Sequence, residues 1–208
     1  MKTFPGTSLA SIWSVVAVCV LLTGCQVAGE RATGTDRSPA ATSISPTSTT
    51  TPEYKPADAS GKAQNVPAPV KPRLADENSK DGLEAFTKYW FETLNYANET
   101  GKTPANVAIS NRDTCKLCVR LMDVADRAWA DGKWVSGGQI RIASVEGHFD
   151  PSRATQEVTL RIIQQESRIH MPDGSLYQED SPAQNNGVQA VVTFGADGWK
   201  MDDLGLIL

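Results

Sequence analysis

The sequence predicts an α+β domain in which helices come first and pack on a curved antiparallel sheet. A signal peptide and a disordered linker are expected to precede it. Three observations support this. Eleven of the fourteen aromatic residues fall in residues 81–208, while residues 26–80 hold seven of the twelve prolines and a single aromatic, Tyr54. Within residues 81–208 the apolar period changes once, after Gly132, from helical spacing to strict alternation. No strand–helix alternation occurs, which excludes a parallel sheet, and there is no internal repeat. A body of roughly 128 residues makes one domain and leaves no room for a second large one.

Residues 1–24 read as a leader. Lys2 gives a positive start, and an apolar run from Ile12 through Leu22 follows. It is short for a membrane span and suits a secretory signal. It ends in Leu22-Thr23-Gly24-Cys25, which resembles the lipobox of bacterial lipoproteins. The resemblance implies cleavage before Cys25, a diacylglycerol on its sulfur, and palmitate-type acyl chains that anchor the protein. Each buried methylene contributes about 0.8 kcal/mol, so two or three chains hold firmly. The expected location is the extracytoplasmic face of the cell membrane, with the membrane as partner through Cys25.

Residues 25–80 are expected to be the lipidated cysteine and a disordered tether. Apart from alanine, the apolar residues of the tether are Val27, Ile44, Tyr54, Val66, Val70 and Leu74, too few to offset the entropy of ordering the backbone. Seven basic against six acidic residues make it neither a polybasic clamp nor an acidic tail. A coil of this length spans roughly 40 Å. The stretch from Thr42 to Pro52 has the composition of an O-glycosylated stalk, with an unmodified linker as the plainer reading.

Within residues 81–208 the elements follow in order. Asp81-Gly82-Leu83-Glu84 has capping-box spacing, and Leu83, Phe86, Trp90, Leu94 and Ala97 form a helical stripe that Gly101 ends. Thr103-Pro104 opens a short second helix. A third runs from about Asp113 to Asp131, with Cys118, Leu121, Met122, Ala125, Ala128 and Trp129 on one face. Strands are then expected at 134–136 and 139–149, with Gly137-Gly138 as the turn between them. Ile140 and Ile142 share one parity, Val145, Gly147 and Phe149 the other, so a bulge is expected near Ala143-Ser144. Val158, Leu160 and Ile162 mark the next strand, Ile169 and Met171 another, and Pro172-Asp173-Gly174 a turn. Val188, Ala190, Val192 and Phe194 alternate into a hairpin at 195–198 that leads to the last strand.

Phe86-Thr87-Lys88-Tyr89-Trp90, the run Leu94 to Gly101, Cys115-Lys116-Leu117-Cys118 and Gly132 to Gly138 together resemble a family of actinobacterial lipoproteins whose domain has no assigned function. More loosely, helices followed by a bent sheet ending in Asp197-Gly198-Trp199-Lys200-Met201 look like the nuclear-transport-factor-2-like cone. That resemblance implies a pocket, and it assigns no residue.

Candidate sites follow from residue type. Cys115 and Cys118 begin a helix outside the membrane, where disulfides persist, so a structural bridge is expected. A redox dithiol is the alternative; zinc would need His148 and His170 as further ligands, and no metal is expected. His148 and His170 lie on strands with polar neighbours and are expected at the surface. Either serves as a general base only beside a carboxylate in a pocket. Glu179-Asp180 and Asp202-Asp203 lack the alternate ligands of a calcium loop. No serine sits in a nucleophile elbow and no glycine loop cradles phosphate, so no cofactor is expected. Tyr96 and Trp134 are candidates for a cavity mouth.

The charge completes the exclusions. Residues 81–208 carry 12 Lys and Arg against 18 Asp and Glu, a net charge of −6, while the whole chain is −4. Such a domain is no nucleic-acid binder. The expected role is a non-enzymatic domain that binds an envelope protein or a small ligand. The alternatives are an enzyme using the cone pocket and an envelope dithiol oxidoreductase using Cys115 and Cys118.

Overall fold

The computed structural model describes residues 52–178 and 180–207. The leader, Cys19, Cys25, residues 26–51 of the tether with nearly all of the Thr/Ser stretch, and Glu179 lie outside the described residues. The described chain forms an α+β unit of three helices, a four-stranded antiparallel sheet and a separate two-stranded antiparallel ribbon, both open.

Helix α1 (Lys80–Thr100) has its cap two residues before the Asp81 that opens the expected capping box. Ser79 is the cap, its hydroxyl accepting from the Gly82 N–H at 3.0 Å. Glu84 faces elsewhere, pairing with Lys80 and accepting from the Gly147 N–H of a strand at 3.1 Å. The stripe Leu83, Phe86, Trp90, Leu94 and Ala97 is buried as its spacing requires. Gly101 ends the helix at φ 71°, and a Cβ there would lie 2.7 Å from the Trp129 ring, so glycine is needed twice over. Helix α2 (Pro104–Ala108) has its proline at the first position. Helix α3 (Lys116–Trp129) is capped by Cys115 and runs into a 3-10 turn over Ala130–Gly132.

The strands are β1 (Trp134–Gly137), β2 (Ile140–His148), β3 (Thr155–Gln164), β4 (Ser167–His170), β5 (Gln184–Gly195) and β6 (Gly198–Ile207). The sheet order is β2-β3-β5-β6. Opposite residues share a face, so Leu160 with Val188, Val158 with Ala190 and Val192 with Met201 form one buried layer against α1. The parity switch in β2 is a bulge: Ile142 pairs with Ile162, Ser144 with Arg161, and Ala143 is left over. A second register shift lies between Val191 and Val192.

Two expectations change. The strand at 134–136 does not pair with its neighbour through Gly137-Gly138. Instead β1 pairs with β4, Trp134 opposite His170 and Ser136 opposite Arg168. Both glycines have positive φ, 71° and 74°. A Cβ on Gly137 would lie 2.2 Å from the Glu166 carbonyl oxygen, which accepts from the Gly138 N–H at 2.9 Å. The pair therefore carries the chain from the ribbon into the sheet.

The second change is the boundary expected at residue 80. Residues 52–79 lie on the domain as a strap and belong to the same compact unit. The strap needs no core of its own, because it uses donors and space that the domain supplies. Trp134 donates its indole N–H to the Asp58 carbonyl at 2.8 Å, and Trp199 donates to the Glu77 carbonyl at 2.9 Å. Ala75, in a 3-10 turn at Arg73–Asp76, is fully buried in the core. Prolines lower the entropy lost when such a segment docks.

Candidate functional site

The cysteine pair comes first because it fixes the start of α3. Cys115 and Cys118 are disulfide-bonded, with a Cα separation of 5.2 Å. Both are completely buried. A partner thiol cannot reach either sulfur in this conformation, and exchange requires such access. The bridge ties the α3 cap into the core beside β6, where the Thr114 hydroxyl donates to the Asp202 carbonyl at 2.7 Å. Among the described residues no group of three metal-ligating side chains occurs.

The ribbon is the second feature, and it is two-sided. Trp134, Ser136, Arg168 and His170 point to one face, Val135 and Ile169 to the other. On the first face His170 is buried at 3% exposure, against the surface position expected. Its ring stacks on Trp134 at 5.4 Å between centroids. Nε2 lies 2.7 Å from the Ser136 hydroxyl and Nδ1 3.4 Å from the Gly174 carbonyl. The carbonyl only accepts, so a neutral ring satisfies both contacts with its proton on Nδ1 and Nε2 accepting from Ser136. The turn that presents Gly174 is held by Ser175, whose hydroxyl and N–H bond Asp173 and keep its carboxyl below the usual range. Arg168 pairs with Asp180 at 2.8 Å and with Glu166. This face lines a cleft of about 520 Å³ that also meets Ala57 and Asp58 of the strap.

The other face meets α3. Val135, Ile169 and Ile140 oppose Leu121, Val124 and Ala128 across a groove of about 150 Å³. Its rim carries neutral amides and hydroxyls, Asn98, Gln164, Gln178 and Ser181. Val124 is 47% exposed beside it. Small-molecule pockets run to roughly 300–1,000 Å³, so this groove suits one or two side chains.

The remaining expected residues do not converge. Trp134 is buried beneath the strap and forms no cavity mouth. Tyr96 is half-buried in a separate hollow beside Tyr54, Pro67 and Glu99. His148 is exposed at the end of β2, away from His170, and no cavity described here includes it. Asp202 accepts from the Asn111 side-chain amide at 2.9 Å, and Asp203 accepts from the Leu204 backbone N–H, so both are engaged in local hydrogen bonds. Ser136 and Arg168 were not candidates from sequence. Only the register of β1 on β4 brings them beside His170, and no spacing along the chain signals that pairing.

No curated protein matches the chain. Among solved structures it is similar to the intermembrane space region of the chloroplast protein ARC6, at 13% identity and a TM-score of 0.41. That alignment covers 62% of this chain and 96% of the other. A likeness at that level supports no functional argument. A family model described as a family of unknown function, DUF6318, matches residues 52–205. The chain belongs to this family.

Proposed function

We propose that this is a lipid-anchored envelope protein whose domain binds a segment of another envelope protein in the groove between α3 and the ribbon. The observation that carries the reading is the groove itself. It is apolar at its floor, rimmed by uncharged hydrogen-bonding side chains, and sized for side chains. A partner segment places one or two apolar residues between Leu121 and Ile169, and its backbone groups meet Asn98, Gln164 and Gln178. Apolar contacts supply affinity while the amides set register. The closed, buried disulfide fits this role better than a redox one. The helices-first order and the bulged sheet support a cone of the nuclear-transport-factor-2-like kind. The leader ending in Leu22-Thr23-Gly24-Cys25 supports acylation of Cys25 and an extracytoplasmic address.

Two experiments test the proposal. A clickable fatty acid is expected to label the protein at Cys25, and retention of the label in Cys25→Ala ends the anchoring part. A photo-crosslinking residue at Val124 is expected to capture one discrete envelope protein in intact membranes. Ile169→Asp should abolish that product. The same product formed equally well from position 148, which lies away from the groove, sinks the groove as the site.

A further inference from the structure

The opposite face of the ribbon carries a different chemistry, independent of the groove. We infer that Ser136 and His170 form a nucleophile–base pair for acyl transfer, acting on a small uncharged ester in the cleft between the ribbon and the strap.

Five observations carry this. Ser136 Oγ lies 2.7 Å from His170 Nε2, within reach for proton transfer in the ground state. The Gly174 carbonyl at Nδ1 fixes the tautomer with Nε2 free to accept, the service a third group performs for the base in such arrangements. Trp134 stacks on the imidazole and holds its plane. Arg168 stands directly opposite Ser136 in the ribbon register and lines the same cleft, which puts a cationic side chain on the face where negative charge would develop. Its bonds to Asp180 and Glu166 engage Nε and one Nη of a group with five N–H donors. Ser136, Arg168 and His170 all line the one cleft, whose volume of about 520 Å³ suits a small molecule. Ala57, Ala59 and Leu176 give it an apolar wall for the acyl chain, while the carboxylates of Asp58 and Glu166 disfavour an anionic substrate.

The step balances without a cofactor. Oγ bonds to the ester carbonyl carbon as its proton passes to Nε2, and the oxyanion forms beside Arg168. Collapse breaks the bond from carbon to the alkoxy oxygen, which takes the proton from Nε2 and leaves as the alcohol. Water then gives a proton to Nε2 and adds to the acyl carbon. The bond from carbon to Oγ breaks, and Oγ regains its proton as the acid departs.

The test uses the whole chain and a serine-directed fluorophosphonate probe, read by peptide mass spectrometry. One adduct is expected, on Ser136. It should be absent in Ser136→Ala and formed at least tenfold more slowly in His170→Gln. Hydrolysis of p-nitrophenyl butyrate should fall at least tenfold in Arg168→Gln. Failure of the folded wild-type protein to label at Ser136 overturns the inference, and this result does not depend on any variant folding. Equal ester hydrolysis by Ser136→Ala, with circular dichroism unchanged, overturns it as well.

Discussion

The four-stranded sheet and the two-stranded ribbon are built from the same alternation and use it differently. In β3 every second residue is buried, Gln156, Val158, Leu160 and Ile162, and the residues between them are exposed or only half-buried. One face meets the core and the other meets solvent. In β1 and β4 both faces have a partner. Trp134 and His170 are buried under the strap, while Val135 and Ile169 are half-buried against α3. A strand covered on one face spends its side chains on stability. A short ribbon gripped from both sides keeps polar groups in fixed geometry and leaves a recess on each face.

The largest expected effect tests the sheet half of this contrast. Trp199 on β6 is 1% exposed and packs edge-on against Phe194, with ring centroids 4.8 Å apart. It also holds the strap through Glu77. Trp199→Ala is expected to cost about 3–5 kcal/mol in urea denaturation. Val135→Ala in the ribbon should cost no more than about 1.5 kcal/mol, because its site is only half-buried. Equal losses would break the contrast between a stability face and a recognition face.

Removing the disulfide comes next. It closes a loop of sequence separation 3, for which loop entropy gives about 2 kcal/mol. The double change Cys115→Ser, Cys118→Ser should lower stability by about that much. Labelling of the wild-type thiols after mild reductant should require denaturant, since both sulfurs are buried. Rapid labelling under native conditions would reopen the redox reading.

What could be read from sequence divides along the same line. Leu83, Phe86, Trp90 and Leu94 announced their helix, and Val158, Leu160, Ile162 and Val188, Ala190, Val192 announced theirs as strands, because one buried face imposes a period. The bulge at Ala143 was legible for the same reason, since the apolar parity flips there. The ribbon was not legible. Its partners are about 34 residues apart, Gly137-Gly138 looks like a local turn, and polar residues on a covered face carry no period. The strap was misjudged because its order comes from the indoles of Trp134 and Trp199, not from its own composition. Cys115 and Cys118 pair as expected, whereas the burial of His170 and its bond to Ser136 depend wholly on register.

The strap gives a smaller, separable test. Trp134→Phe keeps an aromatic ring against His170 and removes the N–H that holds the Asp58 carbonyl, along with part of the indole's bulk. A loss of about 1 kcal/mol is expected, with faster proteolytic cleavage between residues 55 and 64. Unchanged cleavage would mean that the prolines and the Lys55–Gln64 bridge hold this end without the ribbon.

The smallest effect links α1 to the sheet edge through charge. Glu84 hydrogen-bonds Lys80 and accepts from the Gly147 N–H, and these bonds hold its carboxyl below the ordinary value of 4.5, Lys80 contributing most. The proton therefore binds more weakly in the folded chain than in the unfolded one. The resulting stability is fully present above the unfolded value and is lost as pH falls through the folded one. Exposure of Lys80 screens the pair, so the effect should be small. Urea midpoints are expected to be flat from neutral pH down to about 5 as far as this group is concerned, then to fall more steeply in wild type than in Glu84→Gln. Glutamine keeps an oxygen for Gly147, so the difference isolates the charge. Identical slopes below pH 5 would show that α1 is held to β2 by the hydrogen bond and packing alone.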